Sequence, residues 1–286
     1  MLHEKTIAFI GAGSMAEAMI SGIVAAGKIP PNQVFVTNRS NQDRLNTLEN
    51  EYGINGVTRE NMNWQDIDII VLAMKPKDAE IALQSITKTL LPNQLVLSVL
   101  AGITTTFMEQ NLPPGQQVVR VMPNTSSMIG ESATALTAGT FTTRENVSIA
   151  KELLTCIGEV YEIEESQMDI FTGIAGSGPA YFYFLMEHME AAAKMTGLHE
   201  ETTRDIIAQT ILGAAKMIQQ QDDTPSTLRK NVTSPNGTTA AGLAALEKHG
   251  GGKAISQAVK HAANRSREIS SQLEGSLVEN KKIKAV

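Results

Sequence analysis

Gly11-Ala12-Gly13-Ser14-Met15-Ala16 directly follows a short apolar run, residues 6–10, and opens a stretch of helical pattern, residues 15–26. No other feature narrows the fold as far. The first glycine of such a turn makes the tight bend. The second lets the backbone approach a ligand, and Ala16 lets helix and strand pack closely. The free N–H groups and the positive end of the helix then face the turn, an arrangement that accepts a pyrophosphate. Strand, turn and helix in this order lift the G-x-G-x-x-A spacing above a chance match, and mark Gly11, Ala12, Gly13, Ser14 and Met15 as candidate dinucleotide contacts.

The rest of the first half fits the same plan. Residues 33–37, 67–74, 95–99 and 118–122 read as strands, and 41–52 and 78–90 as helices. The run at 67–74 is almost continuously apolar, as a strand covered on both faces of a parallel sheet must be. The alternation predicts a Rossmann-type, doubly wound α/β domain over residues 1–164. After Glu165 the β-branched runs stop. Helical patterns at 179–196, 201–221, 239–249 and 252–271, broken by Gly and Pro, predict an all-helical domain over 165–275, then a polar, frayed tail at 276–286. With 286 residues, two domains suit the length.

Strand ends should carry the chemistry in such a sheet. The second strand ends in Asn38-Arg39-Ser40, with no acid before Asp43. An Asp or Glu there would bind a ribose 2′-hydroxyl, whereas Arg39, helped by Asn38 and Ser40, can pair with a 2′-phosphate. The expected cofactor is therefore NADPH, with NADH used more weakly. Ala73, Lys75 and Pro76 end the buried third strand, and Lys75 can reach phosphates or substrate from there. Arg120 and Asn124 stand at the end of another strand, where the Asn124 amide can donate to the nicotinamide or substrate region. In the helical half, Gly176-Ser177-Gly178-Pro179 and Thr233-Ser234-Pro235-Asn236-Gly237-Thr238-Thr239 each open a helix. Hydroxyls and free amides at a helix start suit a carboxylate. Ordinary capping accounts for one Ser or Thr per helix, not for a cluster.

Other functions are excluded on composition. The balance of 24 basic and 30 acidic residues, with few aromatics, argues against a nucleic-acid surface. No stretch approaches the ~20 apolar residues of a membrane span, and Glu17 and the strand–helix punctuation argue against a signal peptide at 6–27. The five histidines and the one cysteine lack metal-ligand spacing, so no metal site is expected. Cys156, among Leu153, Leu154 and Ile157, reads as a small core residue, and its solitude suits a cytoplasmic setting.

These motifs together resemble the pyrroline-5-carboxylate reductases, over about residues 5–273. The resemblance rests on residues 9–16, 73–76, 120–125, 176–181 and 233–239, the last three being specific to that family among Rossmann reductases. One departure is Asn236-Gly237, where the family usually has Gly-Gly. Asn tolerates positive φ, so the loop is expected to form. The resemblance implies hydride transfer from NADPH to a cyclic imine that carries a carboxylate, giving L-proline. By the same carry-over Ser234, Gly237, Thr238 and Thr239 hold the carboxylate, Thr239 bonds the ring nitrogen, and Gly178 and Pro179 line the substrate. Ser234 and Thr239 are thus the catalytic candidates. It also implies a homodimer or larger oligomer through the helical domain. Two alternatives stand beside this reading. One is another imine or β-hydroxyacid reductase of the same plan, for which Lys194 would have to serve as the helix lysine. The other is a non-catalytic NADP-binding regulatory paralogue.

Overall fold

In the computed structural model, residues 2–284 are described, except for the side chains of Glu274 and of residues 276–284. The chain divides into two compact units, Met1–Gly176 with His261–Val286, and Ser177–Lys260.

The first unit is built on one eight-stranded sheet in the order β3-β2-β1-β4-β5-β6-β7-β8. Its elements are β1 (Ile7–Ile10), α1 (Ser14–Ala25), β2 (Val34–Thr37), α2 (Gln42–Tyr52), β3 (Asn55–Gly56), β4 (Ile69–Leu72), α3 (Ala79–Ile86), β5 (Leu95–Ser98), α4 (Thr105–Asn111), β6 (Gln117–Met122), β7 (Ser132–Ala138), α5 (Arg144–Leu154), β8 (Gly158–Glu162) and α6 (Met168–Phe171). Strands β1 to β6 run parallel in the 3-2-1-4-5-6 order of a dinucleotide fold. The predicted doubly wound fold is therefore present. β7 pairs antiparallel to β6 and parallel to β8, which extends the sheet by two strands the sequence pattern did not disclose.

Alternate residues of the central strands feed two cores. Ile7, Phe9, Val34, Val36, Ile69, Val71, Leu95 and Leu97 pack on one face with α1, α2 and α5. Ala8, Ile10, Ile70, Leu72 and Val96 pack on the other with α3 and α4. Period-two alternation sends neighbouring residues to opposite faces, so a strand buried on both sides must be apolar throughout. Cys156 is half-buried against the first core, and burial pushes its thiol pKa up, as expected of a packing cysteine.

The second unit is helical: α7 (Gly178–Lys194), α8 (Glu200–Gln220), α9 (Pro225–Asn231) and α10 (Thr238–Lys248). The last helix, α11 (Gly251–Lys284), contributes to both units. The change in composition at Glu165 does not coincide with the division of the structure at Gly176. Met168 is fully buried in the first unit, and Asp169 accepts a 2.8 Å bond from the Ser266 hydroxyl. Ser270 is buried too, and Leu273 packs against the second core. The expected frayed tail is helical backbone through Lys284, a continuation of a helix anchored upstream by these contacts.

Candidate functional site

The ends of β1, β2 and β4 meet at Gly11. Its N–H donates to the Thr37 carbonyl at 2.9 Å, and its φ is 112°. A Cβ there would lie 2.5 Å from the Ala73 carbonyl oxygen, an impossible approach, so position 11 admits only glycine. Gly13 stands in the N-cap position of α1 and caps nothing with a side chain. The first amide bonded within the helix is that of Glu17, to the Gly13 carbonyl at 3.0 Å. The amides of Ser14, Met15 and Ala16 have no acceptor among the described residues. They project from the turn as donors with the helix dipole behind them. Arg44 locks this turn from α2, with Nε on the Ala12 carbonyl at 2.9 Å and its guanidinium on Glu17 at 2.5 Å.

The neighbouring strand ends supply further groups. Asn38 Oδ1 accepts from the Ser40 amide at 3.3 Å and shapes the turn after β2. Arg39 is exposed and makes no hydrogen bond or ion pair among the described residues. Lys75 is exposed and Pro76 begins a 3-10 turn just beyond Ala73. Asn124 is buried, and its side chain is largely committed: Oδ1 accepts from the Ser126 amide at 3.0 Å, and Nδ2 donates to the Ala175 carbonyl at 3.1 Å. One amide hydrogen remains for a ligand. The turn that Asn124 caps lies against α1, where the Ser127 hydroxyl meets the Met15 sulfur at 3.6 Å.

Arg120 points elsewhere. It is buried in an ion pair with Glu165, whose other oxygen accepts from the Thr105 hydroxyl at 2.8 Å. This cluster clamps the segment before α6 onto the sheet, a role with no signal in the local sequence. Downstream, residues Thr172–Gly176 form a π-helical turn, and Gly176 comes so close to Met122 that a Cβ would lie 3.1 Å from its methyl. Ser177 then takes the N-cap position of α7, with Gly178 and Pro179 in its first turn. Lys194 is the last residue of α7 and is exposed, unlike a lysine held in a site.

The second cluster of candidates is a turn in the helical unit. Gly237 donates its N–H to the Ser234 carbonyl at 3.0 Å, so Ser234, Pro235, Asn236 and Gly237 form a β-turn. Asn236 has φ 59°, the only positive value among described non-glycine residues. Pro at the second position and a left-handed third residue are the marks of a type II turn. A Cβ on Gly237 would come within 3.1 Å of that same carbonyl, a tight approach that the turn would have to relax to accept. α10 begins immediately after, with Gly237 as an N-cap that has no side chain. The amides of Thr238 and Thr239, and the hydroxyls of Ser234, Thr238 and Thr239, have no partner among the described residues. The Gly237 amide, in contrast, is spent on the turn.

A 3-2-1-4-5-6 sheet with an uncapped glycine turn at the end of its first strand defines a Rossmann-type dinucleotide-binding protein. A protein of Bacillus spizizenii named pyrroline-5-carboxylate reductase 1 is 60% identical over 274 residues, which cover 96% of this chain and 92% of that one. The chain belongs to the pyrroline-5-carboxylate reductase family. The family model for pyrroline-5-carboxylate reductase dimerisation matches residues 165–269, and the model for coenzyme F420-dependent NADP oxidoreductases matches 6–102. Among solved structures, a pyrroline-5-carboxylate reductase from Coxiella burnetii superposes with a TM-score of 0.85 at 33% identity, over 93% of this chain and 99% of its own. A pyrroline carboxylate reductase from Plasmodium falciparum with NADP bound gives 0.84 at 29%, over 95% and 100%.

Proposed function

We propose that the protein reduces 1-pyrroline-5-carboxylate to L-proline, the last step of proline biosynthesis, with NADPH as the preferred reductant. The 60% identity along nearly the whole chain carries this reading. The residues fit the cofactor: the uncapped start of α1 suits a pyrophosphate, and the end of β2 offers Arg39 with no competing acid. Ala12, Ser14, Met15, Asn38, Ser40, Ala73, Lys75, Pro76 and Asn124 complete the proposed cofactor set, and the nicotinamide supplies the hydride when bound.

Substrate handling falls to the turn at residues 234–239. Ser234 and the amides of Thr238 and Thr239 hold the carboxylate at the positive end of α10. Gly237 closes the turn, Thr239 Oγ1 hydrogen-bonds the ring nitrogen, and Gly178 and Pro179 line the substrate. A protonated imine is already electrophilic, so orientation is the main service required of the protein. This explains why no His–Asp pair is needed. We read residues 1–164 as the cofactor domain and 165–275 as the substrate and dimerisation domain. A homodimer or larger assembly, in a cytoplasmic and reducing setting, completes the reading. Among the described residues no helix is long and apolar enough to cross a membrane.

NADPH oxidation driven by pyrroline-5-carboxylate, with proline as product, tests the reading. Thr239→Ala should lower kcat/KM roughly ten- to a hundred-fold, by loss of a bond that strengthens in the transition state. Ser234→Ala should mainly raise KM, because a carboxylate is held alike in ground and transition states. Near-normal turnover in both variants would reduce the turn to a helix start. Absence of turnover in the unaltered protein would favour the regulatory paralogue.

A further inference from the structure

β3 is only two residues long, yet it fixes what stands beside Arg39. β2 and β3 pair in parallel with Val36 opposite Gly56, and the Val57 amide continues the ladder onto the Val36 carbonyl at 3.0 Å. Arg39 follows the carboxyl end of β2 by two residues, and Arg59, which opens a short 3-10 turn, follows that of β3 by three, so both stand beyond the same ends of adjacent parallel strands. That is the edge of the sheet where the adenosine end of a dinucleotide lies in this fold. Arg59 is half-buried, and one terminal nitrogen donates to the Ser85 hydroxyl at 2.9 Å. Ser85 is itself held, donating to the Ala82 carbonyl at 2.7 Å. The anchor uses one of five guanidinium N–H groups and leaves the rest of the fork available.

We propose that Arg59 is the second arm of a two-guanidinium clamp, with Arg39, that selects a 2′-phosphorylated adenosine. The proposal rests on the reading of the chain as a dinucleotide-dependent reductase and adds a selecting residue to it. Burial lowers the Arg59 pKa most, Glu60 opposes this, and the positive charge of Arg39 lowers it further, so the two cations are within each other's field. Like charges held together at a strand edge repel, and a phosphate dianion between them turns that repulsion into two forked, charge-assisted contacts. The two arms differ in stiffness. Arg39 is exposed and without a partner among the described residues, whereas Arg59 is tethered to α3 through Ser85 and therefore loses less freedom on binding.

Calorimetric titration of the whole protein with 2′,5′-ADP and with 5′-AMP isolates the phosphate contact from catalysis. The unaltered protein should bind 2′,5′-ADP the more tightly. Arg59→Met should weaken 2′,5′-ADP by roughly ten-fold while 5′-AMP stays within about two-fold. Arg59→Lys, which keeps a charge without the fork, should fall between, and serves if the methionine variant does not fold. Equal losses on both ligands, or no loss on 2′,5′-ADP, would show that Arg59 only ties the segment after β3 to α3, and would overturn the clamp. Turnover of pyrroline-5-carboxylate by the unaltered protein is measured separately, so failure of the assigned reaction would leave the titration result standing.

Discussion

Asn236 shows how much one residue can be asked to do. Its backbone is left-handed in an exposed turn, at the position where a glycine would carry no Cβ penalty. Asn bears this conformation better than other side chains do. Asn236→Gly should therefore keep the turn and hold the KM for pyrroline-5-carboxylate within about two-fold. Asn236→Val should be costly: a β-branched residue in the left-handed region is penalised by about 1–2 kcal/mol, which would raise KM roughly five- to thirty-fold. A valine variant with unchanged KM would mean that the turn conformation is irrelevant to binding. This residue was legible in part. The Ser-Pro-Asn-Gly string announces a turn, and Asn tolerates the positive φ it requires. Consumption of the Gly237 amide in closing the turn carries no such mark, because a local hydrogen bond depends on dihedral angles the letters do not specify.

At the scale of the element, the clamp of Arg120 on Glu165 and Thr105 joins three segments: β6, the start of α4 and the approach to α6. Arg120 lies in the middle of the sheet and is almost completely buried, with a side chain 4% exposed, while that of Glu165 is 31% exposed. This asymmetry sets an order of costs. Glu165→Ala leaves a buried guanidinium without its partner, at a cost of about 3–5 kcal/mol, toward the lower end because water can approach the vacated site. Arg120→Met leaves a carboxylate that can turn to solvent and a core position filled by an apolar chain, so it should cost less. Urea unfolding of both variants reads the order directly, and a costlier Arg120→Met would contradict it. The sequence pattern suggested that Arg120 faces the ligand edge of the sheet. Its actual partner lies 45 residues away, and only the packed strands bring the two together. β7 was hidden for a related reason. Ser-Ala-Thr-Ala-Leu-Thr-Ala carries no apolar run, and its buried hydroxyls are acceptable only because Thr134 bonds Ser132 and Thr137 bonds the Ile163 carbonyl.

The helical unit leaves much apolar surface uncovered when considered by itself. On α7, Phe182, Leu185 and Met189 lie along one face and are 53%, 45% and 40% exposed, and Leu246 of α10 is 58% exposed. A lone chain that kept such a surface in water would be prone to associate, and closed pairing of two copies is the commonest remedy. Sedimentation at micromolar concentration should therefore show at least a dimer. Leu185→Glu, which buries a charge in the proposed contact, should shift the protein toward the 30.7 kDa monomer. A monomeric unaltered protein would refute the assembly. The sequence by itself determined the doubly wound sheet, the glycine turn, the helical second half and the loop that opens α10. Each of these is written in local periodicity or in residues with special backbone freedom, which act over a few positions whatever the surroundings. Tertiary structure alone decided the antiparallel β7, the return of α11 to the first unit, the burial of Arg120 against Glu165 and the placing of Arg59 beyond the strand next to that of Arg39. All four depend on residues far apart in the chain, whose meeting is fixed by strand register and packing of the whole molecule and leaves no trace in neighbouring letters.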